Sequence, residues 1–198
     1  MRLKLFNGAM SSDFILPLAL GLGLAAAVGF RVFLPLFILG LAAHVGVVTP
    51  TAGFDWVAST PALIMFAVAA VTEVVAYYVP LLDNALDHVA GPVAIAAGIG
   101  VTALALGDAP PMLKWTLAII AGGGVAAATQ GSTTLLRGTS TAFTAGLGNH
   151  AIATGEIVGA IFFSLAALFL PYLALALVVL MAIVALRLFF KRRMARGE

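Results

Sequence analysis

Cysteine is absent from the sequence, and charge is scarce. Without cysteine there are no disulfides, no thiolate nucleophile and no Cys-ligated metal. Charged residues make up 9% of the chain, against roughly 25% in soluble domains. The signatures GxSxG, HExxH and the P-loop are also missing, which removes the nucleophile elbow, the zinc helix and the phosphate cradle from consideration. Strands of alternating polarity, about ten residues each in a membrane barrel, are missing too.

What fills the chain is apolar. The hydrophobic fraction is 63% and the mean hydropathy is +1.15. The 198 residues fit one compact unit over residues 1–198. Continuous runs rich in Ala, Leu and Gly approach the ~20 residues that span a bilayer as helix. The expected fold class is therefore all-α: a polytopic helical membrane protein with about six to eight membrane helices, some broken or re-entrant. Membrane lipids are then its first partners. A homo-oligomer is compatible with the composition, and nothing calls for a cofactor.

The few charges are unevenly placed. Arg2 and Lys4 stand at one end, and Arg187, Lys191, Arg192, Arg193 and Arg196 at the other. Basic flanks favour the cytoplasm, so both termini are expected on the cytoplasmic side of the membrane. The terminal basic run reads as a topology anchor rather than a nucleic-acid patch. Arg2 and Lys4 before an apolar run that ends at Ala25, Ala26 and Ala27 also suit a signal peptide. Asp13 interrupts that pattern, and a similar small-residue pattern returns later, so an internal repeat explains it better.

Along the chain, the first apolar segment covers residues 14–48, too long for one straight crossing of a ~30 Å core. Gly29 and Pro35 flank Arg31, which predicts a break there and two short helices or a re-entrant pair. A loop at residues 49–59 carries Phe54 and Trp56, suited to an interface. Thr60 and Pro61 read as an N-cap followed by proline in the first turn, opening a helix that buries Glu73 and stops at Pro80. Gly91 and Pro92 open the next span, residues 107–111 form a linker, and the second half begins at Met112. A helix from about residue 150 carries Glu156, and Pro171 turns into the last span.

The halves are alike. Residues 21–27 match 122–128 at five of seven places, and residues 70–76 match 153–159 at three, including Glu73 and Glu156. The expected repeats are residues 12–106 and 112–190, inverted if each half crosses an odd number of times.

Residues 129–144, TQGSTTLLRGTSTAFT, interrupt this apolar background. Ten of the sixteen are polar and eight are Ser or Thr. Such a segment persists at membrane depth only when protein or a wet cavity covers it. Gly131 and Gly138 flank Arg137, which suggests a second break. Arg31, Glu73, Arg137 and Glu156 all fall at membrane depth and sum to zero. Each costs about 2.5–3.5 kcal/mol if central and unpaired, so pairing of the two arginines with the two glutamates is the economical arrangement.

A broken helix turns free N–H groups and a positive dipole end into its gap. With a guanidinium and hydroxyls beside it, the gap is an anion site. Arg31, Arg137, Gln130, Ser132, Thr133, Thr134, Thr139 and Ser140 are therefore the expected substrate-binding residues. Glu73 and Glu156 are the expected proton carriers, with Asp83, Asp87 and Asn149 as accessories. Asp83, Asp87 and His88 could ligate a metal, but a solvated helix face accounts for them, and no metal is expected. His44 and His150 suit helix ends. Ser132, His150 and Glu156 can be drawn as a triad, though nothing in their spacing supports one.

The segments GFRVFLPLF, TEVVAYYVPLLDNALD and QGSTTLLRGTSTAFTAGLGNH, with the later GE, resemble a bacterial multi-pass membrane family classed as a domain of unknown function (4126 type), over roughly residues 18 to 185. That resemblance implies a membrane fold and no established substrate. A shorter likeness, through Arg31 beside the FLP element, links the chain to lipid-phosphate flippases with re-entrant hairpins. The function expected from the residues is a small transporter, not an enzyme. It would move an anionic small molecule or a lipid-phosphate headgroup with proton coupling. The alternatives are a passive channel lined by the Ser/Thr stretch and an assembly protein whose buried charges only fix helix register.

Overall fold

The computed structural model describes residues 14–195. Arg2, Lys4, Asp13 and Arg196, and the side chains of Asp83, Asp87, His88, Arg192 and Arg193, lie outside the described part, so the accessory and metal readings placed on them have no structural account.

Every regular element among the described residues is helical. Helix α1 (Ile15–Phe30) is followed by α2 (Phe33–His44), a short 3₁₀ turn (Asp55–Ala58), α3 (Thr60–Ala76) and α4 (Pro80–Leu106). Then come α5 (Pro111–Leu117), a widened π-type turn (Ala118–Gly122), α6 (Gly123–Thr144), α7 (Asn149–Phe169) and α8 (Pro171–Ala195). Among the described residues three stretches are long and apolar enough to cross a membrane: Val89–Leu106, Pro111–Thr144 and Asn149–Phe169. Four shorter apolar helices accompany them, at Ile15–Phe30, Phe33–His44, Thr60–Ala76 and Pro171–Arg187.

The break after α1 falls at the position that Pro35 strains. Pro35 has no N–H, and its ring collides with the carbonyl four residues earlier, which is that of Arg31. The helix ends at that residue: the Arg31 N–H closes the last turn on the Ala27 carbonyl at 3.2 Å, and Arg31 itself is extended (φ −146°, ψ 130°). The chain then doubles back. Val47 and Val48, beyond α2, line the same cavity as Leu16 and Leu20 at the start of α1.

Helix α1 is the hub, packed against α4, α6, α7 and α8. Its Ala25, Ala26 and Ala27 are wholly buried, which gives that run a packing role. Close approach sets the crossings. A β-carbon at Gly29 would stand 2.5 Å from Thr129 Cβ, and one at Gly98 would stand 2.5 Å from Ala126 Cβ and 2.9 Å from the Gly122 carbonyl. By contrast, Gly131 and Gly138 have nothing within 4 Å.

That difference bears on the expected second break, which the structure overturns: α6 runs unbroken through both glycines. Glycine alone weakens a helix by about 1 kcal/mol but leaves its hydrogen bonds in place, and this stretch has no proline. The expected helix start at Gly91–Pro92 is likewise absent, because α4 continues through Pro92. The α3 cap also shifts by one residue: Ser59 is the N-cap, accepting the Ala62 N–H at 3.3 Å, and Thr60 is already helical.

These packing differences yield a paired prediction. Gly98→Val should destabilise by about 1–3 kcal/mol through overpacking, while Gly131→Ala should be neutral or stabilise by up to about 1 kcal/mol through helix propensity. Melting curves of the two purified variants check this. A Gly131→Ala loss as large as that of Gly98→Val would show that α6 is not a continuous helix at residue 131.

One end of the bundle gathers residues 45–59, 107–110 and 170. Thr51 donates to the Leu104 carbonyl at 3.3 Å, and Leu168 and Leu170 share a cavity with Leu16. The other end gathers residues 77–79 and the start of α7, where the Tyr78 hydroxyl meets Thr154 Oγ1 at 2.8 Å. Helix α8 leaves the first end beside α1, with Ala174 against Gly23 and Val178 against Ala26 and Ala27. Ile15 and the far end of α8 consequently lie at opposite ends of the bundle. The α1–α2 turn-back is the reason, since it uses two helices without a crossing. The same directions bear on the repeat. Helices α3 and α7, which carry one matched pair, run in opposite senses, whereas α1 and α6, which carry the other, run side by side in the same sense.

Candidate functional site

The four interior charges meet at the α1–α2 break. Arg31 (1% exposed) sits at the break, Glu73 (9%) on α3, Arg137 (4%) on α6 and Glu156 (3%) on α7. Glu156 binds both arginines. The Arg137 Nε–H donates to its Oε1 at 2.9 Å, and Arg137 Nη2 pairs with Oε2. Arg31 Nη2 approaches the same Oε2 at 2.8 Å and also donates to the Ala153 carbonyl at 3.3 Å. One carboxylate thus joins two guanidiniums, in a side-on fork with Arg137 of the kind only arginine offers.

Glu73 does something else. Its Oε1 accepts the Val32 N–H at 2.8 Å and its Oε2 the Phe33 N–H at 3.0 Å. Helix α2 has no side-chain cap of its own, so a carboxylate from α3 satisfies the N–H groups that the break exposes and meets the positive end of the helix dipole. The two glutamates therefore meet the two arginines in different ways: Glu156 bonds both guanidiniums, while Glu73 caps the open α2 start and lies close enough to feel the charge of both.

Tyr77 is the member that the residue pattern did not reveal. The guanidinium carbons of Arg31 and Arg137 lie 3.7 Å and 3.9 Å from its ring centroid. A ring face attracts a desolvated cation by as much as ~2 kcal/mol, and here one ring serves two cations of like charge. The available signal was spacing: Tyr77 stands one helical turn beyond Glu73, on the same face.

The hydroxyls of α6 do not converge on the centre. Ser132 donates to the Ala128 carbonyl at 2.7 Å, Thr139 to Leu135 at 2.8 Å and Thr129 to Val125 at 3.0 Å, each one turn back. Thr133, which is buried, donates to the Gln130 carbonyl at 2.9 Å. Gln130, also buried, reaches Thr134 Oγ1 at 3.5 Å. Ser140 meets Thr144 Oγ1 at 3.3 Å. Short polar side chains in a helix readily bond their own backbone, so most of these hydroxyls are occupied within α6. Ser132 and Thr139 are exposed on its outer face. Of the expected ligands, the structure gathers Arg31 and Arg137 and leaves Ser132, Thr134, Thr139 and Ser140 with partners on their own helix.

The remaining candidates fall outside this cluster. Asn149 opens α7 and donates to Thr141 Oγ1 at 3.0 Å. His150 lies beside the Tyr78 ring at 5.8 Å, and His44 Nδ1 is 2.8 Å from the Ala58 carbonyl. Ser132, His150 and Glu156 form no relay, since Ser132 bonds Ala128 and Glu156 bonds the arginines. Among the described residues no group of three His, Cys, Asp or Glu side chains could hold a metal ion.

A family model for a domain of unknown function (DUF4126) matches residues 18–191. The chain belongs to that family. The match takes in all four interior charges, Tyr77 and the α1–α2 break. No curated protein and no solved structure matches the chain.

Proposed function

We propose that this DUF4126 chain is a small integral-membrane transporter for an anionic group, with proton coupling through Glu156 and Glu73. The supporting observation is that Glu156 sits where an anionic substrate would sit, held by Arg31 and by the fork of Arg137. A carboxylate in that position acts as an internal surrogate. When it takes up a proton it loses its claim on the guanidiniums, and an incoming oxyanion of similar shape can replace it. Ionisable groups at membrane depth serve such paths by default. Glu73 plays the same part at the α2 N-terminus, where helix N–H groups favour an anion.

In this reading α1 and α2 form a re-entrant hairpin whose tip holds Arg31. Irregular backbone at that depth is tolerated because protein buries it. The basic residues of the last helix would hold the α8 end in the cytoplasm of a bacterial inner membrane. Cysteines at Asp55 and Asp108 should then label from outside the cell and a cysteine at Leu147 from inside. The cysteine-free background makes this scan direct. Asp55 and Leu147 variants labelling from one side would refute the arrangement.

The balanced cluster also suits a second reading, in which the four charges only pin helix register. Flux separates the two. Proteoliposomes holding the purified chain should take up phosphate or a small carboxylate faster when the outside is acidified, and protein-free vesicles should not. Absence of flux for any tested anion, with or without a pH gradient, would favour the register reading.

A further inference from the structure

A chamber of about 330 Å³ lies between α3 and α4, two helices that scarcely touch each other. Its walls are Ala69, Ala76, Ala90 and Val93, and its inner side is Glu73 and Tyr77. Among the described lining residues Glu73 is the sole charged group. Thr72 and Val89, both exposed, stand at its outer side, and the Thr72 hydroxyl is spent on the Val68 carbonyl at 2.8 Å. The chamber therefore opens sideways, offers an apolar surface and ends on the charged centre. The Tyr77 ring at its back carries both guanidiniums on its faces.

We propose that this chamber receives the apolar tail of an amphiphile whose oxyanion head is read by Arg31 and Arg137. The inference rests on the transporter reading above and deepens it by naming the substrate class: a phosphate or carboxylate head on a hydrocarbon chain. Two features of the site carry it. The head has the acceptor set of the carboxylates already in place, Glu73 on the Val32 and Phe33 N–H groups and Glu156 on the arginines. The tail needs an apolar space that opens sideways and reaches the edge of the charged centre, and the α3–α4 chamber runs inward to Glu73 and to Tyr77, whose ring carries both guanidiniums. A free small anion would have no use for such a space, because apolar lining contributes affinity only to apolar surface.

The test compares inorganic phosphate with dodecyl phosphate on the full chain in phosphatidylcholine nanodiscs, following the thermal midpoint as each is titrated, with dodecanol as a tail-only control. Dodecyl phosphate should half-saturate at a concentration on the order of tenfold or more below inorganic phosphate, and dodecanol should shift the midpoint little. Ala90→Trp and Ala69→Trp, which fill the chamber from opposite walls, should abolish the advantage of the tail and leave the phosphate response unchanged. If dodecyl phosphate keeps its advantage in both variants, or has none in the parent, the chamber proposal is overturned while an Arg137-dependent phosphate response still upholds the transporter reading. If neither compound gives an Arg137-dependent shift, both proposals fall.

Discussion

Arg137→Ala is expected to abolish anion binding and to lower stability by about 3 kcal/mol. Breaking a buried ion pair from one side costs about 3–5 kcal/mol, since the surviving charge stays buried without its partner. The lower end applies because Glu156 keeps Arg31 on Oε2 at 2.8 Å. Arg137→Lys isolates the geometry from the charge. A lysine is a point donor and cannot span the two carboxylate oxygens that the guanidinium holds, so anion affinity should fall on the order of tenfold or more while the melting temperature falls less than in the alanine variant. Calorimetric titration with phosphate, beside a melting curve for each variant, measures both. A lysine variant that binds phosphate as tightly as the parent would remove the fork from the binding site. Full loss of stability with unchanged affinity would make Arg137 a register pin.

Glu156→Gln should have the second large effect, with a different signature. The amide keeps the shape of the carboxylate but carries no exchangeable proton, so uptake should lose its response to a pH gradient while downhill flux persists. Glu73→Gln should weaken the same response. The amide oxygen can still accept from one of the Val32 and Phe33 N–H groups that Glu73 now caps, but its NH₂ cannot serve the other. A pH response in Glu156→Gln equal to that of the parent would end the coupling role. Stability needs its own control, because Glu73 is then the one carboxylate of the cluster left for two guanidiniums. The neutral double variant Arg137→Met with Glu156→Leu removes a paired charge from each side and should recover folding if the loss is electrostatic. If that variant also transports normally, the cluster serves packing alone.

The sequence was most legible where a single residue has a strong local effect. Pro35 marks the break at Arg31, although Pro92 inside α4 shows that a proline alone need not end a helix, and the transfer cost of Arg31, Glu73, Arg137 and Glu156 favours their meeting. Their pairing was not legible, because it depends on which donors the fold brings within reach. The Val32 and Phe33 N–H groups count as donors only once the break has freed them, and no residue type announces them. The Ser/Thr stretch was legible only in part, for a related reason. Composition reports that hydroxyls are present, whereas their partners are set by backbone carbonyls one turn away. The glycines misled: Gly131 and Gly138 looked like breaks but lie on an open face, while Gly29 and Gly98 sit at helix crossings. The directions of α1, α6, α3 and α7 had no signal in the matched heptapeptides.

The break at Arg31 has a consequence for insertions and deletions. Proline strains a helical carbonyl at a fixed count of four residues before it, so at this break Pro35 works as a ruler laid along the chain. Its mark falls on the one residue that must be both unwound and charged. One residue added between positions 31 and 35 would move the mark to position 32. Arg31 would then rejoin the helix, and the chain after it would turn by about 100° around the α1 axis, carrying the Val32 and Phe33 N–H groups away from Glu73. Between these two positions conservative substitutions should be tolerated and changes of length should not.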